Sequence, residues 1–148
     1  MNPFCRASIS DRNALRVQLA RVLHALFSAE ANLHYIQGFH DVCSVFLLVC
    51  EGEEALAFAL LRRLARVHLR DSLQPSLERV VKVMSLVFPL LEHVAPDVRA
   101  FLDKADITSL FTLSWMLTWF SHNIPALHSV ARVFDFLLAA HPLMPLYL

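Results

Sequence analysis

A glutamine surrounded by a tyrosine, a glycine and an aspartate is the group of residues in this chain best suited to chemistry. Tyr35, Gln37, Gly38 and Asp41 form the pattern Tyr-x-Gln-Gly-x-x-Asp. A glutamine amide both accepts and donates hydrogen bonds, so it can hold a water molecule and touch a phosphate oxygen at once. Hydrolysis of a phosphate requires this kind of positioning. The alternative is structural: Gln37 would cap a helix and Gly38 would make a tight turn, and a short motif leaves both open.

Composition excludes several other classes of function. Thirteen acidic residues balance 13 basic residues, so the chain lacks the positive charge of a nucleic-acid-binding protein, and no nucleic-acid partner is predicted. Three cysteines are too few for a disulfide framework and indicate buried free thiols. None of the eight histidines has metalloprotease or zinc-finger spacing, so we predict no metal site.

The spacing of apolar residues predicts an all-α domain. Apolar positions recur every three or four residues, and only two glycines interrupt them. Pro89 should kink or split the fourth helix, because proline has no backbone N–H. About seven helices are predicted, and they cover residues 11–30, 37–50, 53–68, 76–94, 96–104, 109–121 and 126–140.

Three other features have alternative interpretations. No Asp, Glu, Lys or Arg lies between Asp106 and Arg132, which makes a membrane-associated helical protein a weaker hypothesis, although its apolar run is short for a membrane span. A nucleophilic Cys43 is disfavoured, because its neighbours His40 and Asp41 lie on the same short segment. A basic cluster is predicted to be a solvated helix face, with acidic lipid or a GTPase as alternatives; it comprises Arg62, Arg63, Arg66 and Arg70.

The pattern at residues 35–41 resembles the glutamine-finger motif of TBC-domain Rab GTPase-activating proteins. Residues 32–41, 68–71, 113–120 and 132–145 are similar to the corresponding stretches of that family. The resemblance implies an incomplete, all-helical TBC-type domain over residues 14–148, truncated at both ends and preceded by a lead-in at residues 1–13.

The resemblance also implies a role for each residue of the motif. Gln37 would be catalytic, acting in trans in place of the water-orienting glutamine of the GTPase. Tyr35, Gly38 and Asp41 would shape the loop and helix start that present it. Family members carry an Arg-x-Trp-Asp pattern further on, in which this chain has Phe134 in place of the tryptophan. The remaining implied sites are structural: a polar pair of Arg132 with Asp135, and Trp115 and Trp119 in the helical core.

The implied partner is a Rab-family small GTPase. GTP and magnesium would belong to that partner, so we expect no cofactor of the protein's own. The protein would regulate a GTPase rather than be an enzyme itself, in vesicle trafficking. We expect a cytoplasmic location at the ER or Golgi membrane surface, with membrane contact through the Rab or a missing C-terminal anchor.

The arginine finger of the family has no counterpart that matches in this chain. Family members carry it in an Ile-x-x-Asp-x-x-Arg motif upstream of the glutamine, whereas Ile9, Asp11 and Arg12 have the residue types but not the spacing. An arginine finger accelerates GTP hydrolysis by about 10³–10⁵. We therefore expect weak or no activation by this chain alone, and the alternative function is a catalytically inactive Rab-binding or scaffold fragment.

Overall fold

The computed structural model describes residues 9–148, with side chains from Asp11 onward. Across these residues the chain forms eight α-helices and two short 3-10 helices and contains no strand, so the predicted all-α class is confirmed. The predicted lead-in at residues 1–13 lies mostly outside this range, and its boundary stays a prediction. The α-helices are α1 (Ile9–Ala29), α2 (Phe39–Val49), α3 (Glu54–Val67), α4 (Glu78–Met84), α5 (Val87–Val94), α6 (Pro96–Lys104), α7 (Leu113–Thr118) and α8 (Leu127–Ala139).

The fourth predicted helix is split, which raises the count from about seven to eight. The break comes at Ser85 and Leu86, and Pro89 lies in the first turn of α5. The first-turn N–H groups of a helix have no partner within it, so proline costs no hydrogen bond there. The predicted effect of Pro89 is confirmed, and the break itself precedes the proline.

The sixth predicted helix is shorter than expected. A 3-10 helix covers Ser109–Thr112 and α7 ends at Thr118, because Trp119 and Phe120 take positive φ angles of 50° and 65°. A residue in this left-handed conformation ends a helix, and non-glycine residues rarely adopt it. The prediction of a continuous helix over residues 109–121 was therefore wrong.

Two hydrophobic clusters hold six of the eight described α-helices together, and α5 and α6 contribute to neither. In the larger one, α1 packs against α2 and α3, and Trp119 and α8 close the cluster from the other side. Its fully buried side chains include Leu26, Phe39, Val42, Leu61 and Leu64. The smaller cluster joins α4 to α7 through Val80, Met84, Met116 and Leu117.

The uncharged stretch between Asp106 and Arg132 does not form one long helix. It is divided among the 3-10 helix at Ser109–Thr112, the short α7, a turn, and the start of α8. Within residues 9–148, no helix has the length and apolar character needed to cross a membrane.

His68, at the C-terminal end of α3, makes the stability of the core depend on pH. Its ring packs edge-on against Trp119, with 5.3 Å between ring centroids. Its Nδ1 is buried without a hydrogen-bond partner among the described residues. Burial, reinforced by Arg63 and His141, lowers the pKa of the His68 imidazole below its ordinary value of 6.5. The folded protein therefore favours the neutral ring.

We expect the protein to lose stability as the pH falls below about 6.5, because the unfolded chain then binds a proton that folded His68 resists. The stabilising contribution is complete above that pH and is lost on acidification through the lowered folded pKa. Urea unfolding at a series of pH values measures it. His68→Gln should flatten the acid slope, whereas His128→Gln, at an exposed position, should not. Equal slopes in both variants would show that His68 is not responsible.

Candidate functional site

Gln37 occupies the corner of a tight turn immediately before α2. The N–H of Phe39 donates to the Ile36 carbonyl oxygen at 3.2 Å, and Gly38 has a φ of 99° while Gln37 is not among the positive-φ residues. In this four-residue turn from Ile36 to Phe39, φ is positive at the third residue and not at the second, which is the pattern of a type II turn. The helix begins at Phe39, two residues later than predicted, and Gly38 is its N-cap without a side-chain hydrogen bond. Gln37 therefore does not cap the helix, whereas the tight turn at Gly38 is confirmed.

Gly38 is required by space as well as by torsion. A Cβ atom at this position would lie 2.9 Å from Cγ2 of Thr118, closer than carbon atoms approach. Thr118 is buried at the end of α7, and its hydroxyl donates to the Ser114 carbonyl oxygen. The turn that carries Gln37 is thus pressed directly against the C-terminal end of α7.

Tyr35 fixes the turn from its N-terminal side. Its ring lies edge-on to Phe27 of α1, with 5.9 Å between centroids. Its hydroxyl lies 2.9 Å from Nδ1 of His40, in the first turn of α2. Burial, and to a smaller extent the Asp41 carboxylate, raises the pKa of Tyr35 above 10.0, so the phenol keeps its proton at neutral pH.

Asp41 joins the start of α2 to the turn after α7. Its N–H donates to the Gly38 carbonyl oxygen at 3.0 Å. Its Oδ2 lies 3.2 Å from Nδ1 of His122, and its Oδ1 lies 3.6 Å from Nε2 of His40. A carboxylate in the first helical turn also suits the positive end of the helix dipole. Tyr35, Gly38 and Asp41 thus all lie around the Gln37 turn.

Gln37 is an exposed residue, and within the described part of the chain its side chain makes no hydrogen bond, so both ends of its amide are unpaired. The segment leading to it is anchored: Leu33 is buried, and the His34 N–H donates to the Leu73 carbonyl oxygen at 2.9 Å. A free amide on an anchored turn is suited to holding a water molecule against a bound partner.

The predicted polar pair of Arg132 and Asp135 is not formed. Both side chains are exposed on α8, and none of the ion pairs among the described residues joins them. The two lie three residues apart on one helix, where such a pair is geometrically allowed. Water competes well for exposed charges, so the gain from pairing is small. Phe134 between them is buried and packs edge-on against Trp119, so the aromatic filler that replaces tryptophan does serve the core.

Two residues around the turn could not be found from the motif. Thr118 contacts Gly38 and His122 contacts Asp41, across 80 or more positions of sequence. Trp119, 1% exposed, occupies the core as expected, whereas Trp115 is only half-buried. Nothing in the local sequence indicates the contacts of Thr118 and His122 with the turn, apart from the family resemblance of residues 113–120.

Within the part of the chain that the structure describes, the thiols and histidines do not form a second site. Cys43 and Cys50 are free and buried, as predicted, while Cys5 lies outside the described residues. Burial raises the pKa of Cys43 to about 12, so this cysteine is not a nucleophile at neutral pH. Across residues 9–148, no three His, Cys, Asp or Glu side chains are placed to hold a metal ion.

Comparison with known proteins identifies the family. The family profile of the Rab-GTPase-TBC domain matches residues 3–148. The chain belongs to the Rab-GTPase-TBC domain family. It is 36% identical over 137 residues to "TBC1 domain family member 20" of Homo sapiens, covering 93% of this chain and 34% of that protein.

Two further relatives support the same assignment to the TBC family. "GTPase-activating protein gyp10" of Schizosaccharomyces pombe is 36% identical over 132 residues, covering 89% of this chain and 35% of its own length. "TBC1 domain family member 30" of Mus musculus is 30% identical over 135 residues, covering 81% of this chain and 18% of that protein. This TBC chain thus spans about a third of the length of the first curated relatives it matches.

Proposed function

We propose that this TBC domain binds a Rab-family small GTPase in its GTP form and that Gln37 orients the attacking water in trans. The observation that carries the proposal is the Gln37 amide, which is exposed and free of hydrogen bonds on an anchored type II turn. Relatives of the chain include a protein named as a GTPase-activating protein. Family membership and the placement of this residue support the same assignment.

Phosphoryl transfer rewards positioning more than covalent chemistry, because its transition state is loose and highly charged. A glutamine can accept a hydrogen bond from the attacking water and donate one to a phosphate oxygen. The turn contributes by restricting where this amide can reach. Its glycine leaves no room against Thr118, and its flanks are tied by the contacts of Tyr35 and Asp41. Because the backbone of the turn is already held in place, only the Gln37 side chain has to be ordered when the partner binds.

A second candidate function is binding without activation. The described residues 9–12, which hold the partial match to the arginine-finger motif, lie in the first turns of α1 rather than in a loop. If no arginine reaches the nucleotide beside Gln37, the chain would dock a GTPase and act as a scaffold. GTP and magnesium would be supplied by the GTPase in either case, and the site of action would be the cytoplasmic face of the ER or Golgi membrane.

The experiment that tests the proposal measures GTP hydrolysis across a Rab panel with wild-type protein and Gln37→Ala. We expect Gln37→Ala to lower the accelerated rate at least about tenfold, equivalent to about 1.4 kcal/mol of barrier. Its affinity for the GTP-bound Rab should stay within about twofold, since the amide is asked to act in the transition state.

Gln18→Ala is the matched control, because it removes a glutamine outside the turn. Gln18 lies on α1, and its side-chain amide donates to the Gly52 carbonyl oxygen. It should leave the accelerated rate unchanged. Hydrolysis at the intrinsic rate with both wild type and Gln37→Ala, together with measurable binding, would establish the scaffold function instead. Absence of binding to every Rab would overturn both.

A further inference from the structure

A concave site lies beside the segment that leads to Gln37. It is a cleft of about 670 Å³ between the end of α1, the end of α3 and the start of α4. Residues 30–34 form one wall of the cleft, and the same segment continues into the Gln37 turn. Its polar lining includes Glu30, His34, Arg66, Arg70, Gln74 and Arg79.

The cleft is positively charged although the chain as a whole is neutral. Three arginines line it against a single glutamate. Glu30 is shared between Arg62 and Arg66, at 2.5 and 3.9 Å, so one carboxylate serves two cations. Arg79 is paired outside the cleft lining with Asp71, at 3.2 Å. The solvated-face interpretation of the basic cluster accounts for Arg62 and Arg63 but not for a recess that gathers arginines from two helices.

Arg70 is the cation in the cleft with no counter-charge. Its side chain is exposed and makes no ion pair or hydrogen bond among the described residues. Its backbone carbonyl accepts a hydrogen bond from the Gln74 amide at 2.9 Å, which fixes the turn from which the side chain projects. An unpaired guanidinium held in a recess is suited to a carboxylate, which its planar fork can bind in a bidentate manner.

The distance from Gln37 indicates which partner reaches this cleft. His34, on the cleft wall, is three residues from Gln37, so their Cα atoms are at most about 11 Å apart. A standard protein interface buries about 800 Å² on each partner, which corresponds to a circular patch of about 16 Å radius. A patch of that radius centred on Gln37 therefore extends beyond His34, on the wall of the cleft.

We propose that this arginine-lined cleft is a docking site for an acidic segment of the Rab-family GTPase whose nucleotide Gln37 contacts. The inference rests on the proposed function. A protruding acidic segment of a protein fits a recess, whereas a flat anionic membrane would reach only its rim. Complementary charge at this distance from the nucleotide steers association and fixes the orientation of the bound GTPase, without taking part in hydrolysis.

The test compares Arg70→Glu with Arg132→Glu, using the full chain and a Rab loaded with a non-hydrolysable GTP analogue. Both substitutions change the charge by the same amount at exposed arginines without an ion pair, and Arg132 lies on α8 away from the cleft. We expect Arg70→Glu to weaken binding about tenfold, mainly through a slower association rate. Arg132→Glu should change it less than about twofold, and added NaCl should slow association of the wild type more than that of Arg70→Glu. Thermal unfolding checks the fold of each variant, and Arg70→Ala provides a milder change in the same direction.

Equal weakening of Rab binding by Arg70→Glu and Arg132→Glu would overturn the docking role of the cleft. It would leave the proposed function in place, because wild-type hydrolysis would still depend on Gln37. The same holds if vesicles containing about 5% phosphoinositide bind in an Arg70-dependent way while Rab binding does not change. Absence of Rab binding by the wild type would overturn both proposals. At saturating Rab, Arg70→Glu should retain the Gln37-dependent rate within about twofold, and a large loss there would contradict a docking role.

Discussion

Replacing Trp119 by alanine is expected to lower the free energy of unfolding by about 3–5 kcal/mol, the usual cost of deleting a large aromatic side chain from a core. Trp119 is 1% exposed and is the largest of the fully buried side chains. Its ring packs edge-on against Phe134, with 5.5 Å between centroids, and against His68. The cavity left behind would lie where α8, the end of α3 and the turn after α7 meet. Urea unfolding of wild type and variant measures the difference.

Trp115→Ala is the matched control, since it removes the same side chain from a position one helical turn earlier. Trp115 is half-buried and stacks on Phe120, with 6.0 Å between centroids. Its loss should cost about 1–2 kcal/mol, because less apolar surface is returned to water. Equal losses in the two variants would contradict the central place assigned to Trp119. Trp119→Phe should recover part of the loss by refilling the cavity.

Gly38→Ala is expected to destabilise the protein by about 2–4 kcal/mol. One part is torsional, since a non-glycine residue at such a φ angle costs about 1–3 kcal/mol; here φ is 99°. The other part is steric, since the new methyl group would meet Cγ2 of Thr118 at 2.9 Å. The free energy of unfolding, measured in urea, reports the sum of the two.

A double-mutant cycle with Thr118→Ser separates these parts. Serine lacks the offending methyl group but keeps the hydroxyl that donates to Ser114. We expect Gly38→Ala to cost about 1 kcal/mol less in the Thr118→Ser background. Gly52→Ala is the control: its φ is 83°, yet its Cβ would lie 3.4 Å from the nearest atom, in the flexible Gln18 side chain. It should carry the torsional cost alone and show no coupling to Thr118→Ser. Additive effects of Gly38→Ala and Thr118→Ser would rule out the contact.

The Gly38 result also concerns the proposed activity. A turn forced away from α7 would move Gln37 relative to a docked GTPase, and small displacements of a positioning group reduce rates strongly. Any loss of hydrolysis in Gly38→Ala that the Thr118→Ser background restores would therefore show that the contact between this turn and α7 sets the position of Gln37.

Local pattern predicted most of the helices because local forces decide them. Spacing of apolar residues, prolines and glycines placed α1, α3, α6 and α8 within one or two residues of their observed ends. The same reasoning failed at Trp119 and Phe120, where propensity favours continuing the helix. Burial of the Trp119 ring among residues from α3 and α8 outweighs the cost of two left-handed residues. That gain depends on partners about 15 and 51 positions away, which no local window contains.

The features of the candidate site likewise divide into those that the sequence determined and those that only the tertiary structure decided. The sequence by itself determined the motif that carries Gln37, the need for a turn at Gly38 and, through the wider resemblance, membership of the TBC family. Those depend on residue types at short spacing. Only the tertiary structure decided that Thr118 fills the space behind Gly38, that His122 reaches Asp41, that Arg132 and Asp135 stay apart, and that Arg70 and Arg79 face one cleft. Each of these outcomes depends on how helices pack across the chain, and packing is set by the summed burial of many side chains rather than by any one segment.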